Sequence, residues 1–343
     1  METILFLAHT ENDGTLARPA LEALAGAKWL AGALPGSTFA AGLIGERTQP
    51  AAGQTASCGA SRFLSVTGSE FGQPRYATDA AAAEALCRAA GTTIVIAPAT
   101  TRWARSLAGV AQRLDGRIDS HVTGISAVGG KLVVSRWYYR QRMEAVLDRT
   151  KRPWLILLET SVFPAWSGEP GSAPVEAVAV DVPDSAKRTR FVGVRAPKTD
   201  EQTIRPDANL LFVTGAGWTK KQSDGQVHLA DAAELILGFL RKTQSSLGSS
   251  KSLVDLSGEG QVVLPFLTHL NQVGQTGSTP RHPKGLATCC HGEEPHVVGW
   301  RFINERRAVN LDPNCGWARG KADVLYVADA FEVMKKVNAL LAD

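Results

Sequence analysis

Short apolar runs and stretches of helical spacing take turns along the amino-terminal part of the chain. Thr3–His9 is apolar and ends in the polar Thr10–Gly14. Leu16–Leu30 follows, rich in Ala and Leu at helical spacing. Phe39–Ile44, Arg62–Val66, Thr92–Ala97 and His121–Ala127 predict further strands, and Asp79–Ala90 and Arg102–Leu114 predict the helices between them. Strands alternating with helices predict a parallel sheet covered on both faces.

Three local features of this part carry two readings each. Asn12-Asp13-Gly14 closes the first strand and reads as a plain turn or as part of a nucleotide site; no G-x-G-x-x-G follows it. Thr100-Thr101-Arg102-Trp103-Ala104-Arg105 follows an apolar strand. It reads as an anion site at a helix start or, ahead of that, as a threonine cap with solvated arginines. Trp137-Tyr138-Tyr139-Arg140 reads as sheet packing ahead of a partner surface.

Polar character then takes over. Lys187–Asp207 mixes Lys, Arg, Pro, Thr and Asp around one apolar stretch, Phe191–Val194, and predicts a hinge. A new strand, Leu210–Val213, starts directly after it, so the boundary is expected near Ala208, dividing residues 1–208 from residues 209–343. Thr214-Gly215-Ala216-Gly217 forms the turn at that strand's carboxyl end. Ala230–Lys242 predicts a strong helix, and the polar stretch Gln244–Ser252 a loop leading to the apolar Leu253–Leu256. Asp329 and Ala330 open a last helix to about Leu341, with Phe331, Met334, Val337 and Leu341 on its core stripe. Strand–helix alternation again predicts an open α/β sheet, which binds ligands outside the carboxyl ends of its strands. That logic sets Gln272–Gly277, Cys289–His296 and Asn310–Pro313 along one edge.

Length, charge and cysteine usage narrow the class. The chain has 343 residues, enough for two domains each with its own core. Net charge is +4 with no long Lys/Arg block, which argues against nucleic acid as the main ligand. Met1-Glu2-Thr3-Ile4 has no basic leader character, and no apolar run approaches a bilayer span. Five cysteines form no disulfide framework and suit a reducing compartment. A cytoplasmic protein without membrane insertion is expected.

The chemistry concentrates at Asn271–Thr279, N-Q-V-G-Q-T-G-S-T. Gly274 and Gly277 allow close backbone approach, and Gln275 and Thr276 both donate and accept hydrogen bonds. Such a loop is able to present backbone amides to a pyrophosphate; by composition alone an ordinary polar turn reads as well. Cys289, Cys290, His291, His296 and Cys315 offer metal-ligand types. Adjacent cysteines serve one tetrahedral site poorly, however, and no C-x-x-C is present. Cys289 or Cys290 also reads as a redox nucleophile, or more simply as a buried thiol. Glu293 and Glu294 read as an acid/base pair or, more simply, as solvated neighbours.

Q-V-G-Q-T-G resembles the flavin-contacting loop of the electron-transfer flavoprotein alpha subunit. Further matches follow in the family's order. Gly292 and His296 stand where the family has S-G-A-I-Q-H, Asn310, Asp312 and Pro313 resemble its A-I-N-K-D-P, and Val327–Phe331 resembles its V-A-D-L-F. The close resemblance covers the carboxyl-terminal part; the amino-terminal part matches in pattern. Departures stand beside the matches. The family's G-G-R-G arginine has Gly217 and Trp218 in its region, its G-A-S-R arginine is Lys251, and its S-G-A-I-Q-H serine is His291.

The resemblance implies two doubly wound, mostly parallel α/β domains, a Rossmann-like amino-terminal one and an FAD-binding carboxyl-terminal one. It implies an electron carrier rather than an enzyme with a small substrate. The expected partners are a beta subunit carrying AMP, a flavin-linked dehydrogenase as donor and a membrane quinone reductase as acceptor. Gln272, Val273, Gly274, Gln275 and Thr276 are expected against the flavin ring and ribityl chain, and His296 at its pyrimidine edge. Ser250, Lys251, His291, Gly292 and Glu293 complete the flavin set, while Asn310 and Asp323 serve the adenosine half, Asp323 by matching V-A-D-Y-G. Fewer arginines imply weaker FAD retention and a lower potential, unless Lys220, Lys221 or Arg281 compensates. The alternatives are a flavin-poor subunit that keeps the fold as a scaffold and, further off, a metal-binding enzyme.

Overall fold

The structure, a computed structural model, describes residues 1–138, 143–193, 204–205, 208–255, 263–273, 282–288, 303–314 and 322–341. The chain divides into two compact units, Met1–Val194 and Arg195–Asp343. The division falls inside the polar stretch Lys187–Asp207. Both units are α/β, and each is Rossmann-like.

Unit 1 contains strands β1 (Thr3–His9), β2 (Thr38–Gly45), β3 (Arg62–Thr67), β4 (Ile94–Pro98), β5 (Arg117–Val128), β6 (Lys131–Tyr138), β7 (Met143–Leu147), β8 (Trp154–Leu158) and β9 (Val175–Ala177). Its helices are α1 (Arg18–Ala33), α2 (Gln49–Gln54), α3 (Ser69–Gly72), α4 (Tyr76–Ala90) and α5 (Thr101–Arg113). The sheet order is β7-β6-β5-β8-β4-β1-β2-β3-β9. It is parallel from β5 to β9, and β6 and β7 extend it as antiparallel neighbours. β1 shows why it lies in the middle. Ile4, Phe6 and Ala8 pack into the core that holds α1, and Leu5 and Leu7 into the core that holds α4 and α5. A strand apolar on both faces has to be covered on both. Small residues let α1 come close: a Cβ on Gly26 would lie 2.8 Å from Leu158 Cδ2.

Three expectations for this unit resolve. Asn12–Gly14 is a turn: the Thr15 amide and hydroxyl donate to Asp13 Oδ1 at 2.9 and 2.7 Å, and Gly14 adopts φ 86°. Thr100 caps α5, accepting the Trp103 amide at 3.3 Å. Its neighbour Arg102 is not simply solvated. It donates to both oxygens of buried Asp79, at 2.7 and 3.0 Å, and to the Phe71 carbonyl. Trp137 and Tyr138 belong to β6, between β5 and β7, with the Arg136 guanidinium over the Tyr138 ring; Tyr139 and Arg140 lie outside the described residues. The apolar pattern left β8 unassigned, although all its residues are buried at the centre of the sheet. Beneath it, buried Asp119 accepts from Arg136 and Arg149 at 2.8 Å each and from Trp154 Nε1 at 2.9 Å.

Unit 2 contains β10 (Leu210–Thr214), β11 (Ser246–Ser249), β12 (His282–Thr288), β13 (Ile303–Asn310) and β14 (Val324–Val327), with α6 (Leu229–Thr243), α7 (Lys251–Asp255) and α8 (Ala330–Leu340). All its strand pairs are parallel, in the order β11-β10-β12-β13-β14. α6 and α8 pack in the core that holds Phe212, Leu247 and Val309. Asp329 caps α8, accepting the Phe331 and Glu332 amides at 2.7 and 3.2 Å. Phe331 and Met334 are buried as the helical stripe predicts, whereas Leu341 lies past the helix and is exposed. One expectation is overturned. The polar stretch Gln244–Ser252 is not a loop, because its residues Ser246–Ser249 form β11, buried throughout. A Ser-Leu-Gly-Ser run has little apolar drive of its own. Its burial comes from β10 on one side and from a further bridge, Ser249 to Gln272, on the other.

Candidate functional site

The strand order of unit 2 runs second, first, third, fourth, fifth in chain order, so the connections reverse direction between β10 and β12. Open α/β sheets form their ligand crevice at such a reversal, outside the carboxyl ends. In unit 2 four of the five strands end in neutral polar residues, while β14 ends in the exposed Val327. β10 ends in Thr214, β11 in Ser249 followed by Ser250, β12 in Thr288 and β13 in Asn310, and every one is buried. Buried polar side chains cost free energy unless hydrogen-bonded. Thr214 Oγ1 donates to the Gly248 carbonyl and Thr288 Oγ1 to the Val213 carbonyl, both at 3.2 Å. Ser250 Oγ accepts the Leu253 amide at 3.2 Å. The Ser249 hydroxyl is buried and has no hydrogen-bond partner among the described residues.

The stretch that leads into the glycine-bracketed motif is fastened to this edge. The Val273 amide donates to the Ser249 carbonyl at 3.0 Å, and Gln272 bridges Ser249 in parallel. One residue earlier, buried Asn271 donates from Nδ2 to the Leu247 carbonyl at 3.2 Å. A Cβ on Gly248 would lie 2.8 Å from Val273 Cγ1, so this contact requires glycine. The expected residues Gln272, Val273, Ser250 and Asn310 are therefore brought to one edge, and Ser249 and Thr288 join them. Sequence reading passed over Ser249 and Thr288; their signal is only that each closes a strand.

The turn after β10 is filled by an indole. Trp218 is fully buried in a single 3-10 turn, Ala216–Thr219, with Nε1 donating to Thr288 Oγ1 at 2.8 Å and its ring 4.6 Å from that of Phe331. This side chain is neutral where the resemblance implies an arginine nearby. Lys251 opens α7 directly beyond Ser250. Its half-exposed ammonium pairs with Asp255, whose other oxygen lies 3.1 Å from His269 Nε2. The Lys251 hydrogen bond, with help from His269, outweighs burial and holds the Asp255 carboxyl below its usual range.

Asp323 is not brought to this edge. It precedes β14, whose register sets Val327 beside Asn310, so it stands toward the opposite, amino end. There it takes the Arg306 amide and guanidinium at 2.7 Å each, and these bonds lower its pKa. The aspartate that follows β14 at the carboxyl edge is Asp329. Gly274, Gln275, Thr276, His291, Gly292, Glu293 and His296 lie outside the described residues, as do Cys289, Cys290, Cys315 and Arg281. Among the described residues no group of His, Cys, Asp and Glu side chains is arranged to hold a metal.

Unit 1 offers two further polar places. Its order reverses between β1 and β4. There His9 stacks on Trp103 at 3.9 Å, with both ring nitrogens sealed and without a partner among the described residues. Burial, with help from the Arg102 and Arg105 charges, pushes the His9 pKa well down. The second is a groove of about 700 Å³ beyond β2 and β3, lined by residues such as Arg47, Thr48, Ser65, Thr67 and Ser172.

The donor set of unit 2 fits a flavin nucleotide. Hydroxyl and amide groups match an uncharged ring edge and sugar hydroxyls, the unpartnered Ser249 hydroxyl is a donor in want of an acceptor, and one cation stands beside them. In comparison with known families, the model of the electron transfer flavoprotein domain matches residues 4–184, more than half of the chain and wholly within unit 1. No curated protein sequence matches the chain closely enough to count as a relative. No helix among the described residues is long and apolar enough to cross a membrane.

Proposed function

Because the chain belongs to the electron transfer flavoprotein family, we propose that it is the alpha-type subunit of a two-subunit carrier that holds FAD at the carboxyl edge of unit 2. Proteins of this family carry electrons, so the function rests on holding a cofactor and presenting it. FAD, when bound, supplies the ring that accepts and releases electrons. One observation carries the reading. Thr214, Ser249, Ser250, Thr288 and Asn310 gather buried neutral donors and acceptors at a strand reversal, and the glycine-bracketed stretch starts from a point anchored among them.

The roles follow from the chemistry of each group. The Ser and Thr hydroxyls orient polar ring edges and sugar without placing net charge beside them. Asn310 serves the adenosine half. Lys251 supplies a cation toward the negative charge that gathers on a reduced ring, an effect strongest where water is excluded. Val213, Ala287 and Ala308, buried beneath the edge, exclude water there. A beta-type partner carrying AMP, a flavin-linked dehydrogenase as donor and a quinone reductase as acceptor complete the proposal.

A second reading has its own observation. The buried, neutral Trp218 fills the turn where a cation is expected, and this favours a flavin-poor scaffold subunit. The visible spectrum of the purified chain with its co-purified partner separates the two. Near-stoichiometric flavin absorbance supports the carrier. A colourless complex that stays colourless after incubation with FAD overturns it.

A further inference from the structure

We propose that Asp255 is a positioning residue for the flavin site: it fixes Lys251 and offsets part of its charge, so the site holds oxidised and reduced flavin more evenly than a free lysine would. This rests on the flavin reading given above. Lys251 and Asp255 stand four residues apart on α7, the spacing that puts two side chains on one helical face. Their ion pair leaves the second carboxylate oxygen to His269. His269 comes from a different part of the chain. It opens a short 3-10 turn, His269–Asn271, capped by Thr268 and tied to β11 through Asn271 on the Leu247 carbonyl. The next residues, Gln272 and Val273, bridge to Ser249.

Asp255 therefore joins the segment that leaves β11 to the segment that enters the glycine-bracketed motif. Two consequences separate it from an ordinary surface ion pair, which contributes little. Its carboxylate sits beside a cation that follows Ser250 directly beyond the neutral edge. It also holds that cation toward α7. Removing the carboxylate charge frees a full positive charge to favour the reduced, more negative flavin.

The test uses the full chain with its partner, loaded with FAD. Asp255→Asn, Asp255→Glu, Lys251→Gln and the double variant Asp255→Asn with Lys251→Gln are compared with the parent. The readouts are bound flavin per chain and the ratio of dissociation constants for oxidised and reduced flavin, obtained from the potential. Asp255→Asn is expected to shift that ratio about tenfold toward the reduced form, equivalent to a rise of ~30 mV for a two-electron couple. Asp255→Glu should restore the parent ratio, and the shift should vanish in the Lys251→Gln background. Two results overturn the proposal while flavin stays bound: an unchanged ratio in Asp255→Asn, or a shift that persists without Lys251. If no variant and no parent chain retains flavin, the carrier reading falls first and this proposal with it, and the spectrum alone identifies that case.

Discussion

Unit 1 and unit 2 both bury neutral hydroxyls but differ in the charge they bury. Unit 1 buries charge. Asp119 sits under two arginines and an indole, Asp79 under Arg102, and Glu22 accepts from Arg18 Nε at 3.0 Å and from the Ser161 amide at 2.8 Å. Among the described residues, unit 2 buries neutral hydroxyls and amides, several at the carboxyl ends of its strands, and keeps its ion pairs at the surface. A buried ion has to be matched at once, because an isolated charge in the interior is far too costly. An unmatched hydroxyl costs much less, so a fold is able to leave one for a ligand. Matched buried charge therefore marks architecture, and a buried hydroxyl without a partner among the described residues, Ser249 in unit 2 and Thr10 in unit 1, marks a place that a ligand is able to complete.

The sharpest way to break that contrast is to remove Asp119. Burial alone would raise its pKa, but the hydrogen bonds from Arg149, Arg136 and Trp154 outweigh burial and hold it low. Asp119→Ala leaves two arginines facing an emptied site and should cost ~3–5 kcal/mol in urea unfolding. Flavin per folded molecule should stay the same. Loss of flavin without loss of stability would mean that buried charge in unit 1 is not architectural.

A smaller effect concerns His9. It is neutral in the fold, because burial and two nearby arginines depress its pKa well below 6.5, so below that value the unfolded chain binds the extra proton. Stability is then fully present above pH 6.5 and declines as pH falls toward the depressed folded value, by at most ~1.4 kcal/mol per pH unit. Thermal melts of His9→Phe should show a shallower fall in Tm from pH 6.5 to 5.5 than the parent. Equal slopes would remove His9 from the acid response.

The smallest expected stability change is at Ser249. Replacing an unpartnered buried hydroxyl by hydrogen should leave the flavin-free protein unchanged or up to ~1 kcal/mol more stable. The same Ser249→Ala variant should hold flavin several-fold more weakly. The combination of no lost stability and weaker retention is opposite in both respects to the Asp119 result. Unaltered retention would return Ser249 to the core.

These contrasts also explain what the amino-acid pattern reveals and what it conceals. β1 and the helical segments Leu16–Leu30 and Asp79–Ala90 stand out because apolar runs and Ala-rich spacing record burial directly. β11 does not, because Ser246, Gly248 and Ser249 are buried by their neighbours rather than by their own composition. β8, the apolar run Trp154–Leu158, carries the same signal as β1 and is left unassigned. In the candidate site, motif order picks out Gln272, Val273, Ser250 and Asn310, and the strands set them along one edge of the sheet. Asp323 was matched by local pattern alone, and strand direction separates it from them. Motif matching registers which residues occur in what order. It carries no information on which end of a strand each one occupies.

Gly248 and Val273 touch so closely that a methyl group on the first would press into the second at 2.8 Å, with Leu211 and Val213 at 3.3 and 3.5 Å behind it. The two positions therefore form one choice rather than two. A lineage that acquired alanine at 248 would first have to accept a smaller side chain at 273, and the intermediate with neither change accommodated is the one selection removes. Homologues sampled widely enough should show these positions changing together: glycine with valine, or a larger residue with a smaller one, and rarely any other pairing.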